Sequence, residues 1–290
     1  MNIPYKDLYK KAMLIRCFED RLLELFSEGK LSGTTHTYVG QEAVAISSIV
    51  HLNKEDIVFS NHRCHGHYLA KEDDPKGLLA EIMGKKIGAC GGRGGSQHIS
   101  KGSFYSNGIQ GGILPNALGM AFAEKYRCSG NIVVVFIGDG TLGEGSVYES
   151  MNLASLWQVP LLIVLENNQY AQTTNVNDNL AGNILDRAKS FGITSSEVES
   201  NDISILYPLF CNIIKKMRKN GRPIFQLVNT YRINAHSKGD DFRNQEEIDN
   251  WKKKDPLIYF ENYLSKNEIQ KIKKQVKESL IEIEKEIIDV

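Results

Sequence analysis

The chain opens with a helical rhythm. Between residues 4 and 28, Leu8, Met13, Leu14, Phe18, Leu22, Leu25 and Phe26 recur at helical spacing, and Gly29 ends the run. Gly/Thr-rich residues 29–40 lead into a second predicted helix at 41–50. Ile57–Ser60 reads as a short buried strand, Asn61–His67 as a loop crowded with His and Arg, and 75–83 as a helix. Residues 84–112 are the most glycine-dense part of the chain. So long a connection is functional or disordered.

Beyond it the pattern becomes regular. Helices are predicted at Ile113–Tyr126, Gly145–Trp157 and 202–219, and apolar strands at Ile132–Ile137, Leu161–Leu165 and Ile224–Val228. Continuous apolar strands alternating with helices predict an α/β fold, a mostly parallel sheet with helices on both faces. Such sheets bind ligands at the carboxyl ends of their strands. Polar residues 234–248 read as a loop. The tail carries Ile269, Ile272, Val276, Leu280, Ile283 and Ile287 among Lys and Glu, an amphipathic pattern. The expected division is residues 1–265 as one α/β domain and 266–290 as a C-terminal amphipathic helix.

Composition narrows the function. The 290 residues are 41% hydrophobic, enough for a core, and 35 Lys plus Arg balance 35 Asp plus Glu. Zero formal charge provides no broad attraction to nucleic acid or membrane, and no apolar run is long enough to cross a bilayer. Cys17, Cys64, Cys90, Cys128 and Cys211 are scattered without a CxxC, so neither a disulfide framework nor a zinc ribbon is expected. The opening residues lack a signal-peptide core, so the expected location is cytoplasmic.

One pattern carries chemistry. The strand Ile132–Ile137 runs into Gly138-Asp139-Gly140, and a helix resumes near Gly145. Glycines at a strand end admit a ligand to the backbone, and the helix start offers N–H groups to an anion. Residues 141–166, twenty-six in all, return along a second strand to Asn167-Asn168. If the strands are neighbours, Asp139 and Asn168 emerge side by side. A carboxylate, an amide oxygen and a backbone carbonyl suit a hard dication completed by phosphate oxygens, hence a magnesium–diphosphate site. Either half alone reads as a plain turn or loop cap.

Together the two halves resemble the thiamine-diphosphate signature. Thr35-His36-Thr37-Tyr38-Val39-Gly40-Gln41-Glu42-Ala43, His62-Arg63-Cys64-His65-Gly66-His67, Gly94-Gly95-Ser96-Gln97-His98, Glu149–Trp157 and Tyr231-Arg232 occur in the family's order. Over about residues 5–260 the chain resembles the alpha subunit of the thiamine-diphosphate-dependent component of 2-oxo-acid dehydrogenase complexes, the pyruvate and acetoin branch in particular.

The resemblance implies a thiamine-diphosphate-binding fold and an oxidoreductase acting on an oxo group. It implies Mg²⁺ held by Asp139, Asn168 and the Tyr170 carbonyl, with Gly140 and Thr141 N–H groups against the diphosphate. Arg63 pairs with phosphate, His62 stands where many relatives have tyrosine, and Gly108 and Gln110 hold the aminopyrimidine. Gln172 lies where an aliphatic side chain usually wedges the cofactor. His36 and His236 match active-site histidines; His65 and His98 are read as loop braces. The crowded 62–67 segment fits no zinc spacing and reads better as a phosphate loop. The implied partners are a beta subunit carrying the pyrimidine-binding domain, in a heterotetramer, and a lipoyl-bearing transacylase that accepts the acyl fragment. The substrate is a small 2-oxo acid or an acetoin-like molecule.

Thr34 replaces a phenylalanine common near the acyl pocket, and Asn234-Ala235-His236 replaces a His-Gly-His loop. Losing an aromatic wall predicts a substrate more polar or larger than pyruvate. The alternatives are the amino-terminal half of a split transketolase, or a non-dehydrogenase thiamine-dependent enzyme acting on a polar substrate.

Overall fold

The computed structural model describes residues 2–31, 33–237, 239 and 241–288. The amino-terminal part contains α1 (Tyr5–Ser27), α2 (Glu42–Ile49), β1 (Ile57–Ser60), α3 (His65–Glu72) and α4 (Pro75–Ile82). A small hairpin, β2 (Ser100–Lys101) and β3 (Phe104–Ser106), leads to α5 (Gln110–Tyr126), β4 (Val133–Gly138), α6 (Gly145–Trp157) and β5 (Leu161–Asn167). Next come β6 (Tyr170–Ala171), β7 (Thr174–Asn175), α7 (Val176–Asn179), α8 (Ile184–Lys189), β8 (Thr194–Glu199), α9 (Ile203–Asn220) and β9 (Ile224–Asn229). Helices α10 (Gln245–Lys252), α11 (Pro256–Glu261) and α12 (Lys266–Ile288) follow.

Among the described residues a seven-stranded sheet runs β2-β3-β1-β4-β5-β9-β8, parallel throughout except for the β2–β3 hairpin. The central strands are buried on both faces because their side chains alternate between two cores. Val134 and Phe136 of β4, with Leu162 and Val164 of β5, meet the apolar stripes of α1, α2, α9 and α12. Val133, Val135, Ile137, Leu161, Ile163 and Leu165 point the other way, to α5, α6 and α8. A period of two across a three-layer sandwich is what an unbroken apolar strand signals. The C-terminal helix buries Ile272, Val276, Leu280 and Ile287 in the same core as α1.

The structure extends or corrects several predicted elements. The Asn61–His67 loop is helical from His65, and α5 begins at Gln110 rather than Ile113. The polar 234–248 segment turns helical at Gln245, where the Asn244 side chain accepts the Glu246 N–H at 2.8 Å. Strand β8 is not predicted by the pattern: its sequence, Thr-Ser-Ser-Glu-Val-Glu, is polar because it lies at the sheet edge, paired only with β9.

The glycine-dense segment is held in place rather than loose. The buried Glu81 carboxylate accepts backbone N–H bonds from Cys90 (2.6 Å), Gly92 (2.8 Å) and Gly94 (2.6 Å). Gly92 has φ +75°, and a Cβ there would sit 2.6 Å from the Gly84 carbonyl oxygen, so the turn requires glycine.

Candidate functional site

Strands β4 and β5 lie side by side, with Gly138 opposite Glu166 as their last paired residues. Asp139 opens a 3-10 turn, Asp139–Gly143, directly beyond β4, and Asn168 follows β5. The two candidate ligands therefore leave the sheet at one edge. Asp139 is 2% exposed, and its Oδ2 has no hydrogen-bond partner among the described residues. Burial pushes its carboxyl up to about 6, against the opposing pull of its own backbone N–H and of Arg232 and Arg63. A buried carboxylate oxygen without a donor is a seat for a cation.

The Asn168 amide is oriented from both ends. Its Oδ1 accepts the Tyr170 N–H at 3.2 Å, and its Nδ2 donates to Gln41 Oε1 at 3.3 Å. The Tyr170 side chain turns away to donate to Glu247 at 2.8 Å, so only its backbone is available to a cation. Gly140 faces Ala171, and a Cβ would stand 2.6 Å from the alanine methyl. Thr141 is buried in the same turn.

Buried arginines lie near Asp139. Arg63 is 4% exposed and, among the described residues, forms no salt bridge to a carboxylate. Its guanidinium donates to the Thr37 carbonyl (2.8 Å) and reaches His236 Nδ1 (3.0 Å). Burial, then the nearby Arg232 guanidinium, disfavours its charge. The buried Glu19 and Glu166 carboxylates favour that charge without forming a salt bridge to it, and an incoming dianion would offset more of the cost of burying it. Arg232 is itself buried and donates to the Gln172 carbonyl at 3.0 Å. Gln172 has φ +57°, and its side chain is exposed in this chain.

Three histidines from distant segments converge beside Arg63. Ring centroids of His36 and His62, and of His36 and His236, are 4.7 Å apart; His62 and His236 are 5.5 Å apart. Burial, then Arg63, pulls His36 down to about 3, and the same causes hold His62 well below its usual range. Both rings are neutral at physiological pH. Gln110 lies near His62, and its amide donates to the Gly108 carbonyl at 3.2 Å. Gln97 reaches both His36 Nδ1, at 3.4 Å, and the space beside Gly108.

The sequence pattern gives no role to Ser60, His67, Tyr38 or Arg243, which hold this arrangement. Ser60 contacts His67 Nδ1 at 2.8 Å, His67 Nε2 contacts the Tyr38 hydroxyl at 3.0 Å, and Tyr38 donates to Glu166. This buried chain ties β1 and the Thr35–Ala43 segment to the tip of β5. His65 braces the loop as expected, bound to Glu19 at 3.1 Å and the Ser96 carbonyl at 3.0 Å. Arg243 clamps the His236 loop through the Asn234 carbonyl at 2.8 Å. Tyr38, Gln41, His67 and Arg232 lie inside the family-like sequence blocks, so a signal existed; Glu81 and Arg243 carried none.

The family model of the dehydrogenase E1 component matches residues 10–290. The chain belongs to the dehydrogenase E1 component family. Among its relatives is the alpha subunit of acetoin:2,6-dichlorophenolindophenol oxidoreductase from Bacillus subtilis. That protein is 38% identical over 284 residues, covering 94% of this chain and 85% of the relative. The corresponding Cupriavidus necator subunit is 39% identical over 83% of this chain and 74% of its own length. Pyruvate dehydrogenase E1 component subunit alpha from Rickettsia bellii is 35% identical over 94% of this chain and 88% of its own. Within this E1 family the acetoin and pyruvate branches are both represented, and the split-transketolase alternative fits less well. Among the described residues, no helix of this E1 chain is long and apolar enough to cross a membrane.

Proposed function

We propose that the chain is the alpha subunit of a thiamine-diphosphate-dependent dehydrogenase and that it grips the Mg²⁺–diphosphate end of the cofactor. The observation that carries this reading is the buried Asp139 Oδ2, without a hydrogen-bond partner among the described residues, near the buried Arg63, which forms no salt bridge among them: a cation seat next to an anion seat. Asp139, the Asn168 amide oxygen and the Tyr170 carbonyl hold the cation. Arg63 and the N–H groups of Gly140 and Thr141 hold phosphate oxygens, and Gly108 and Gln110 border the aminopyrimidine. When bound, the cofactor supplies a nucleophilic carbon and an electron sink for cleavage beside a carbonyl.

The protein's own part is to bind, orient and move protons. His36 and His236, whose ring centroids lie 4.7 Å apart, accept and donate the protons that the reaction moves. Gln97 orients the first ring and Arg63 the second. The pyrimidine-binding domain comes from a beta subunit, in a heterotetramer, and a lipoyl-bearing transacylase receives the acyl fragment. Five unpaired cysteines fit a reducing compartment, and we place the assembly in the cytoplasm. Thr34 in place of an aromatic residue favours a substrate more polar or larger than pyruvate, a hydroxylated 2-oxo acid or an acetoin-like molecule.

The test is reconstitution with the beta subunit, Mg²⁺ and thiamine diphosphate, followed by reduction of a dye acceptor with each substrate class. Turnover that requires both chains is expected. A pyruvate kcat/KM far above the others removes the substrate assignment; full turnover by this chain alone removes the subunit assignment.

A further inference from the structure

The sequence places His36, His62 and His236 far apart, and nothing in their spacing links them. The fold brings one ligand-type atom from each to within 4.8 Å of the others. His65 and His67, which share the His62 segment, turn away into bonds with Glu19 and with Ser60 and Tyr38. His62 differs from them: both its ring nitrogens are buried and neither makes a regular hydrogen bond.

We propose that His36, His62 and His236 form a binding site for one transition-metal dication, zinc by the chemistry of its donors, separate from the Mg²⁺ seat at Asp139. Three imidazoles with an open fourth position match a tetrahedral nitrogen site, and they discriminate against magnesium, which prefers oxygen. In such a site the nitrogens stand roughly 3.3 Å apart, so the rings must draw together by about 1.5 Å at most. His36 and His236 lie on loops that permit this. Arg63 opposes a cation here, and the Arg232 guanidinium acts in the same direction on His36. The Arg63 Nη2 lies 3.0 Å from His236 Nδ1, so a metal on that nitrogen displaces the guanidinium and works against its charge.

The consequence for the enzyme rests on the proposed function. Zinc on these imidazoles removes the proton-handling pair His36 and His236, and so inhibits. The binding claim stands apart from that reading and is tested apart from it. Cobalt(II) replaces zinc with the same geometry and reports it by visible d–d absorption.

The full chain, with its beta subunit present, is titrated with Co²⁺ and then with Zn²⁺ by competition and calorimetry, without added cofactor. One equivalent, tetrahedral cobalt bands and displacement by zinc but not by Mg²⁺ are expected. His62→Phe should weaken zinc by at least about 100-fold. The exposed His98→Asn should leave it unchanged, and Arg63→Gln, which removes a competing charge, should tighten it. Circular dichroism and thermal melting establish that each variant is folded. Octahedral cobalt bands, or equal zinc affinity in wild type and His62→Phe, overturn the site. Zinc binding without loss of turnover in the reconstituted enzyme retains the site but overturns its inhibitory role.

Discussion

Gly138 and Glu166 face each other as the last pair between two neighbouring parallel strands. Asp139 therefore departs one residue beyond that pair and Asn168 two residues beyond it, at the same sheet edge. Everything proposed for the site depends on this register, because a slip of one residue in either strand would turn that strand's side chains to the opposite face and move its end residue off the site.

The first prediction concerns stability. Asp139 has an ordinary value of 3.8 and is raised to about 6 by burial. A carboxyl whose folded value exceeds its unfolded one costs stability when ionised. The cost is full above about pH 6 and fades as the pH falls towards 3.8. Asp139→Asn should thus stabilise the cofactor-free chain at neutral pH by on the order of 1–2 kcal/mol while impairing activity. Urea unfolding at neutral pH and again near pH 4.5 checks it. A gain that shrinks at the lower pH is expected, and a loss of stability at neutral pH contradicts it.

The second concerns cation affinity. The same carboxyl must be ionised to hold Mg²⁺, so cofactor binding at saturating thiamine diphosphate should need more Mg²⁺ as the pH falls below about 6. Proton release on Mg²⁺ addition, measured by calorimetry in buffers of different ionisation enthalpy, should approach one per site below about pH 6 and vanish near pH 8. Release that does not change with pH would remove Asp139 from the cation seat.

A third prediction tests the loop anchor. Glu81 receives three backbone N–H bonds, and Glu81→Ala leaves those donors without their acceptor. The cost should be about 1–3 kcal/mol, with faster proteolytic cleavage within residues 84–95. Cleavage at the wild-type rate would mean that the loop is held by something else.

A fourth separates positioning from chemistry. Tyr38 donates to Glu166 and contacts His67, neither of which is a proposed ligand of the cation. Tyr38→Phe removes the donor but keeps the ring. It should raise the KM for cofactor several-fold with little change in kcat, because it loosens the β5 tip without touching His36 or His236. A fall in kcat at unchanged KM would assign Tyr38 to the chemistry instead.

Much of the fold is legible in the sequence. The strands at 57–60, 132–137, 161–165 and 224–228 are readable because each is apolar on both faces, a pattern that a short segment shows when helices cover its sheet on either side. The Asp139–Asn168 pair follows because both sit at such strand ends. Strand β8 is not legible: an edge strand of Thr, Ser and Glu lacks the burial that writes a strand into a sequence. The resemblance marks each of the three histidines, but not that they meet. His36, His62 and His236 lie on three separate loops, and only the packing of those loops creates their proximity. Glu81 escapes notice because a carboxylate that binds backbone N–H groups leaves no pattern in neighbouring side chains.

The central claim is that Asp139 and Asn168 together hold the cation beneath the cofactor's diphosphate. The most direct measurement is calorimetric titration of the alpha–beta complex with thiamine diphosphate in saturating Mg²⁺, comparing wild type with Asp139→Ala and Asn168→Ala. The account predicts that each variant binds at least about 100-fold more weakly while the complex stays assembled. Wild-type affinity in either variant would contradict it.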